Sequence, residues 1–190
     1  DVGGDPPRPE ITKGINLHHL CLRIKDPERS LKFYREILGM RKLFSYNAGS
    51  FSIYCELASS SFCHMYHGDL DTETVWADFN NQKGLIELIH RHGTELDPDF
   101  SYCSGNEEPH MGFGHLGFTV DDVPGLVKRV EEAGYKVVKP QGVCTVETIG
   151  WPTGTPSPIK AYHELYYNMA MVQDPDGYWC ELVPTVMDKK

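Results

Sequence analysis

The sequence predicts an α+β fold made of two paired βαβββ modules, and three observations predict it. A strand, turn, helix and glycine stop occur twice in the same order. Each copy is followed by further β-like runs, and the last run of each copy carries one glutamate among bulky apolar residues. Self-similarity of this kind marks an architecture assembled from repeated supersecondary units.

The first copy opens on the strand-like run His19-Leu-Cys-Leu-Arg-Ile24. Asp26-Pro27 then gives a helix start, because an aspartate caps exposed N–H groups and a proline at the first helical position is already set in φ. Leu31, Phe33, Tyr34, Ile37 and Leu38 recur at three-to-four residue spacing, and Gly39 is the stop signal. The second copy opens on His115-Leu-Gly-Phe-Thr-Val120, continues with Val123, Leu126, Val127, Val130 and Ala133 on one helical stripe, and closes at Gly134. Both helices lead into β-like runs, Met40 to Tyr46 and Tyr135 to Val138. The closing strands, Gly84 to Ile89 and Tyr178 to Val183, place Glu87 and Glu181 at nearly equal distances from His19 and His115.

A single βαβββ sheet cannot hide both faces alone, so the modules are expected to pair face to face, within one chain or between two, around a cavity. The expected boundaries are an N-terminal arm over 1–14, a first module over 15–92, a connector over 93–112 and a second module over 113–184. Leu57 to Asn81 reads as a surface excursion. An insertion over 141–168 carries Trp151, Tyr162, Tyr166 and Tyr167, and its length and aromatic content predict a lid or binding element.

Composition narrows the function classes. With 190 residues, 40% of them hydrophobic and 24% charged, the chain has the balance of a globular protein rather than a disordered or fibrous one. Its net charge of -9 and lack of a basic patch argue against nucleic acid as a partner. No apolar run approaches membrane-spanning length, and the polar N-terminus is unlike a signal segment. The cysteines at 21, 55, 63, 103, 144 and 180 are irregularly spaced and form no C-x-x-C pair, which predicts free thiols in a reducing, cytoplasmic setting.

An imidazole or carboxylate in a buried strand is costly unless it is hydrogen-bonded, paired or metal-bound. Pseudo-twofold packing of the repeats would bring His19, Glu87, His115 and Glu181 together as a two-His, two-Glu set, suited to a divalent ion of the zinc, nickel, cobalt, manganese or iron type. The plainer alternative is two core histidines, each bonded to a nearby glutamate. Strand alternation puts Arg23 on the face of His19, Arg91 on the face of Glu87, and Phe51, Ile53 and Cys55 on one shared face.

The strings His19-Leu-Cys-Leu-Arg-Ile-Lys-Asp-Pro27, Phe33-Tyr34, Leu38-Gly-Met40, His92-Gly-Thr-Glu95, Gly112-Phe-Gly-His-Leu-Gly117 and Gln173-Asp-Pro-Asp-Gly-Tyr-Trp179 resemble glyoxalase I (lactoylglutathione lyase) of the vicinal oxygen chelate superfamily. The resemblance covers 15–184 apart from the insertion. It implies that fold, and one divalent metal per site on His19, Glu87, His115 and Glu181, often at a homodimer interface. His19 leaves the choice between zinc and nickel or cobalt open. The implied reaction moves a proton between adjacent carbons of the hemithioacetal that methylglyoxal forms with glutathione, a detoxification step, with Glu181 as base and Glu87 on the opposite side of the metal.

The resemblance also implies a substrate site in which Arg23 grips a glutathione carboxylate and Phe51, Ile53 and Cys55 hold the aldehyde side chain. Two positions depart from the family: Arg91 stands where it has asparagine, and Met111 where it has a second glutathione-binding arginine. The insertion, whose only Lys or Arg is Lys160, replaces a short basic loop. These departures favour an alternative small-molecule carbonyl substrate, a bulky apolar enone or α-hydroxyketone handled without glutathione, with Glu164, or less readily His163, as a lid-borne acid or base. A ring-cleaving iron dioxygenase and a non-catalytic sequestering protein are the other readings; the extra ligand Glu87 argues against the first, and the intact set of four ligands against the second.

Overall fold

Two four-stranded sheets organise the chain in a computed structural model that describes residues 3–4, 6–58, 79–80 and 82–186. The first sheet is built from β1 (His19–Ile24), β2 (Arg41–Asn47), β3 (Phe51–Leu57) and β4 (Leu85–Arg91), in the spatial order β1-β4-β3-β2. Its helix, α1 (Pro27–Lys32), widens into a π-helical turn over Phe33–Ile37. A two-stranded hairpin, β5 (Asn106–Glu107) with β6 (His110–Met111), interrupts the connector. The second sheet contains β7 (His115–Val120), β8 (Val137–Lys139), β9 (Ala170–Gln173) and β10 (Trp179–Pro184), ordered β7-β10-β9-β8. Its helix is α2 (Val123–Glu132). In each sheet the opening and closing strands pair in parallel and the other pairs are antiparallel, as expected for a duplicated βαβββ unit.

Local sequence explains the helices. The Asp26 carboxylate accepts from the Glu28 and Arg29 amides at 2.9 and 3.4 Å, and Asp122 accepts from the Gly125 amide at 2.9 Å. These caps satisfy N–H groups that have no partner inside the helix. Gly39 and Gly134 take the left-handed conformation that lets the chain leave each helix.

One face of each sheet is backed by the helices, and these backed faces share a single core. Leu22, Ile24, Ile86 and Leu88 of the first sheet join Leu116, Ala170, Val172, Cys180 and Leu182 of the second, with Phe33, Tyr34, Ile37, Val123, Leu126 and Val130 between them. Polar latches cross the same junction. The Tyr34 hydroxyl donates to Asp174 Oδ2 at 2.8 Å, and Asp176 accepts from the Ser30 hydroxyl at 2.6 Å and the Lys25 amide at 2.7 Å. The Tyr178 hydroxyl donates to the Arg23 carbonyl at 3.1 Å, and Arg129 donates to the Ile37 carbonyl at 2.6 Å.

The insertion is more ordered than an irregular loop: it holds a 3-10 turn over Glu147–Ile149 and a short helix, α3 (Lys160–Tyr166). The excursion expected over Leu57 to Asn81, with Cys63, lies almost wholly outside the described residues. Cys21, Cys55, Cys103, Cys144 and Cys180 are free thiols. Among the described residues no helix is long and apolar enough to cross a membrane.

Candidate metal centre

The parallel register of β7 and β10 sets His115 opposite Trp179 and Gly117 opposite Glu181. His115 and Glu181 share the sheet face that the helices do not cover, and His115 Nε2 lies 3.4 Å from Glu181 Oε2. Glu181 is 8% exposed, and its second oxygen, Oε1, is buried without a hydrogen-bond partner. Leaving a buried polar atom unsatisfied costs roughly 1–3 kcal/mol, and more for an ionised group. A Cβ at Gly117, the register partner of Glu181, would meet nothing within 4 Å, so the sheet face is open at that position. Contact with Glu181 raises the His115 pKa above the ordinary imidazole value, against the opposing effect of burial. A carboxylate with one oxygen against an imidazole and the other buried without a donor fits a cation.

The first sheet carries the other two candidates. His19 is exposed on β1, with Nδ1 2.8 Å from His18 Nδ1, and Glu87 is half-buried on β4. Register places Cys21 on one side of Glu87 and Cys55 on the other, so the three form a row across β1, β4 and β3. Burial, the Glu87 charge and a hydrogen bond to Glu87 push the Cys21 thiol pKa up. The buried Cys55 thiol is pushed up to about 12, first by burial and then by Glu87 and Glu56. Arg23 is exposed on the face of His19. Phe51, Ile53 and Cys55 stand opposite Arg91, Ile89 and Glu87. The Arg91 guanidinium lies over the Phe100 ring, 5.1 Å from its centroid.

The remaining candidates lie on peripheral elements. Met111 is 41% exposed on β6. Glu164 is exposed on α3 and pairs with Lys160 at 3.4 Å. The chain therefore brings His115 and Glu181 into contact and places His19 and Glu87 on adjacent strands of the other sheet. Among the described residues no group of three or more His, Cys, Asp or Glu side chains is positioned to hold a metal ion. The physical reason is the core: the modules are joined through their helix-backed faces, not through the faces that carry these four residues. Sequence reasoning overlooked Lys139, fully buried at the end of β8 and in register with Met171, which in turn pairs with Glu181. The lysine that closes the Val137-Val138 pair before Pro140 is the signal that points to it.

Comparison with known proteins follows the same lines. Residues 16–182 match the family described as Glyoxalase/Bleomycin resistance protein/Dioxygenase superfamily. The lactoylglutathione lyase of Pseudomonas aeruginosa is 35% identical over 181 residues, which cover 91% of this chain and 84% of that protein. The glyoxalase I of Saccharomyces cerevisiae is 34% identical over 170 residues, covering 88% of this chain, and the chain spans only 44% of the yeast protein. The trypanothione-dependent glyoxalase I of Leishmania major has a structure similar in fold, with a TM-score of 0.56 at 21% identity, covering 90% of this chain and 87% of that one. The chain belongs to the Glyoxalase/Bleomycin resistance protein/Dioxygenase superfamily, with glyoxalase I and lactoylglutathione lyase sequences among its relatives.

Proposed function

We propose that this chain is a glyoxalase I-like lyase whose site is completed by two copies of it. His115 and Glu181 of one copy would meet His19 and Glu87 of the other around a single divalent ion. The observation that carries this reading is the Glu181 carboxylate, whose Oε2 lies 3.4 Å from His115 Nε2 while its Oε1 is buried with no hydrogen-bond partner. The mixed nitrogen and carboxylate set suits zinc, nickel or cobalt. Such an ion, when bound, acts as a Lewis acid toward a substrate oxygen and makes the neighbouring C–H bond more acidic.

The chain's own residues do the rest. Glu181 has one oxygen against His115 and one without a donor, so it is the carboxylate placed to take a proton from one carbon and return it to the next. Glu87 would hold the opposite side of the ion. Arg23, exposed on the face of His19, offers a guanidinium to a carboxylate of glutathione. Phe51, Ile53 and the buried Cys55 supply an apolar wall for the aldehyde side chain. The default substrate is the hemithioacetal of methylglyoxal and glutathione, and the cytoplasm, where glutathione is abundant, is the fitting compartment.

A second reading, a bulkier carbonyl compound handled without glutathione, is favoured by two observations. Met111 offers no charge where the family has an arginine, and the Arg91 cation is already engaged with Phe100. The deciding assay follows lactoylglutathione formation by purified, metal-loaded protein and its Glu181→Gln variant. The expected result is turnover that falls by at least about 10²-fold in the variant while metal content is retained. Undiminished turnover in Glu181→Gln would remove Glu181 as the base. Turnover of an enone or α-hydroxyketone alone would select the second reading, and a requirement for O₂ would replace both with a dioxygenase.

A further inference from the structure

The insertion is fixed over the same sheet face that carries Glu181. Within its first half, Gly150 lies against Trp179: a Cβ there would sit 3.3 Å from the indole Cζ3 and 3.3 Å from Asn106 Oδ1. Its two ends are tied together, the Gln141 amide donating to the Asn168 carbonyl at 2.6 Å and the Gly142 N–H to the Tyr167 carbonyl at 2.9 Å. Between these moorings runs α3, only seven residues long, with no side-chain cap at its N-terminus. A helix of that length has no independent stability in water.

What holds it is Lys139. This side chain is fully buried, and its ammonium donates to the Tyr166 carbonyl at 2.7 Å and to the Met169 carbonyl. It thereby satisfies an acceptor of the last turn of α3 that has no partner inside the helix. Burying a cation is expensive unless its donors are used and a countercharge is near. Register supplies the countercharge. Lys139 pairs with Met171 and Met171 with Glu181, so the cation and the carboxylate lie on one face two strands apart, roughly 10 Å at ordinary strand spacing. Burial lowers the Lys139 pKa, while the Cys144 and Glu181 charges oppose that fall.

Lys139 thus fixes the turn of helix that presents two aromatic rings. Tyr162 and Tyr166 stack with centroids 4.1 Å apart and planes within 19° of each other. Both are half-buried, whereas Lys160 and Glu164 of the same helix pair on its exposed side. Burial raises the Tyr162 pKa, with smaller contributions from Tyr166, Cys144 and Glu181, so its hydroxyl stays neutral. Lys160, the insertion's one Lys or Arg, is exposed, and what the helix keeps half-buried, beside the Lys139 end of the Glu181 face, is an uncharged, flat surface with hydroxyl tips. Parallel aromatic faces of this kind favour a flat π-system over a methyl group or a carboxylate.

We propose that the Tyr162–Tyr166 stack, moored to β8 by Lys139, is a specificity-determining wall of the Glu181 site and selects carbonyl substrates bearing a flat unsaturated or aromatic substituent. Lys139 is the positioning residue of that wall. This inference rests on the reading of Glu181 as the base and adds the substrate class.

Two measurements test it. The first compares kcat/KM for the glutathione hemithioacetals of phenylglyoxal and methylglyoxal in the wild type, in Tyr162→Leu/Tyr166→Leu, in Lys139→Met and in Lys139→Arg. The phenyl-over-methyl preference is expected to fall about fivefold or more in the double variant and in Lys139→Met, and to recover in part in Lys139→Arg. The second follows saturation transfer from the protein to benzoin, an aromatic α-hydroxyketone, with acetoin as its aliphatic counterpart. Transfer to the benzoin rings is expected in the wild type and is lost in the tyrosine double variant, a folded-state readout that does not depend on turnover. An unchanged preference in the double variant, or unchanged transfer to benzoin, overturns the wall. If the wild type turns over neither hemithioacetal while benzoin contact still depends on the tyrosines, the lyase reading falls and the wall stands. If turnover is normal and the preference is unaltered, the lyase reading stands and the wall falls.

Discussion

His115 Nε2 stands 3.4 Å from Glu181 Oε2, while Oε1 of the same carboxylate is buried without a hydrogen-bond partner. A ligand that binds only the folded protein stabilises it in proportion to the logarithm of its concentration over Kd. Zinc or cobalt at about 100 times Kd is therefore expected to stabilise the protein by about 2.7 kcal/mol, and a chelator to reverse the gain. Thermal melts with and without metal read this directly. Glu181→Ala should abolish the shift, and an equal shift in that variant would place the ion elsewhere.

The separation of His19 and Glu87 from His115 and Glu181, on two sheets joined through their other faces, leads to a complementation test. His19→Ala and Glu181→Gln are each expected to be inactive alone. Refolded together as dimers, half the molecules would be mixed, and each mixed dimer would hold one intact and one doubly defective site. Recovery of about a quarter of wild-type activity is the expected outcome. No recovery would return all four ligands to one chain.

The duplicated architecture was legible because its signals are local. Asp26-Pro27 and Gly39 punctuate the first helix, Gly134 closes the second, and the lone glutamate of each closing strand shows in the sequence. The closeness of His115 to Glu181 follows from equally local signals, since they stand on the opening and closing strands at positions equivalent to His19 and Glu87. Which faces pack together was not legible. Leu22 and Cys21 are adjacent and both apolar in character, yet Leu22 enters the shared core and Cys21 stays exposed beside Glu87. That choice depends on long-range partners such as Tyr34 with Asp174, 140 positions apart. The ordered insertion was hidden as well, because α3 draws its stability from Lys139, a contact outside its own segment.

Arg35 and Glu56 form a different kind of pair. Glu56 is fully buried on β3 and accepts two bonds from the Arg35 guanidinium, at 3.0 and 2.6 Å, while Arg35 remains one-third exposed. Removing one partner of a buried pair strands the other charge, at a cost of about 3–5 kcal/mol. Arg35→Met is expected to lose close to the lower figure, since solvent reaches the arginine side. Arg35→Met/Glu56→Gln should recover part of the loss, and urea unfolding of the wild type and the two variants measures it. Equal stabilities of Arg35→Met and wild type would show that the pair contributes no net stability.

Asp174 makes the junction between the modules sensitive to pH. Its carboxylate is buried and accepts from the Tyr34 hydroxyl and from the Asp176 and Tyr178 amides, yet burial first, and then the neighbouring Asp176 charge, raises its pKa from 3.8 to about 7. The folded protein then keeps a proton that the unfolded chain releases between about pH 4 and pH 7. Because the folded state binds more protons in that window, this group's contribution to stability is complete below pH 3.8, declines as the pH rises, and is lost above about 7. Other carboxylates add their own slopes, so the informative quantity is the difference between the wild type and Asp174→Asn. The asparagine keeps an acceptor for the two amides and carries no titrating proton. Unfolding free energies measured from pH 4 to pH 8 should therefore show a downward slope in the wild type that is absent in the variant, and parallel profiles would show that Asp174 is ionised throughout.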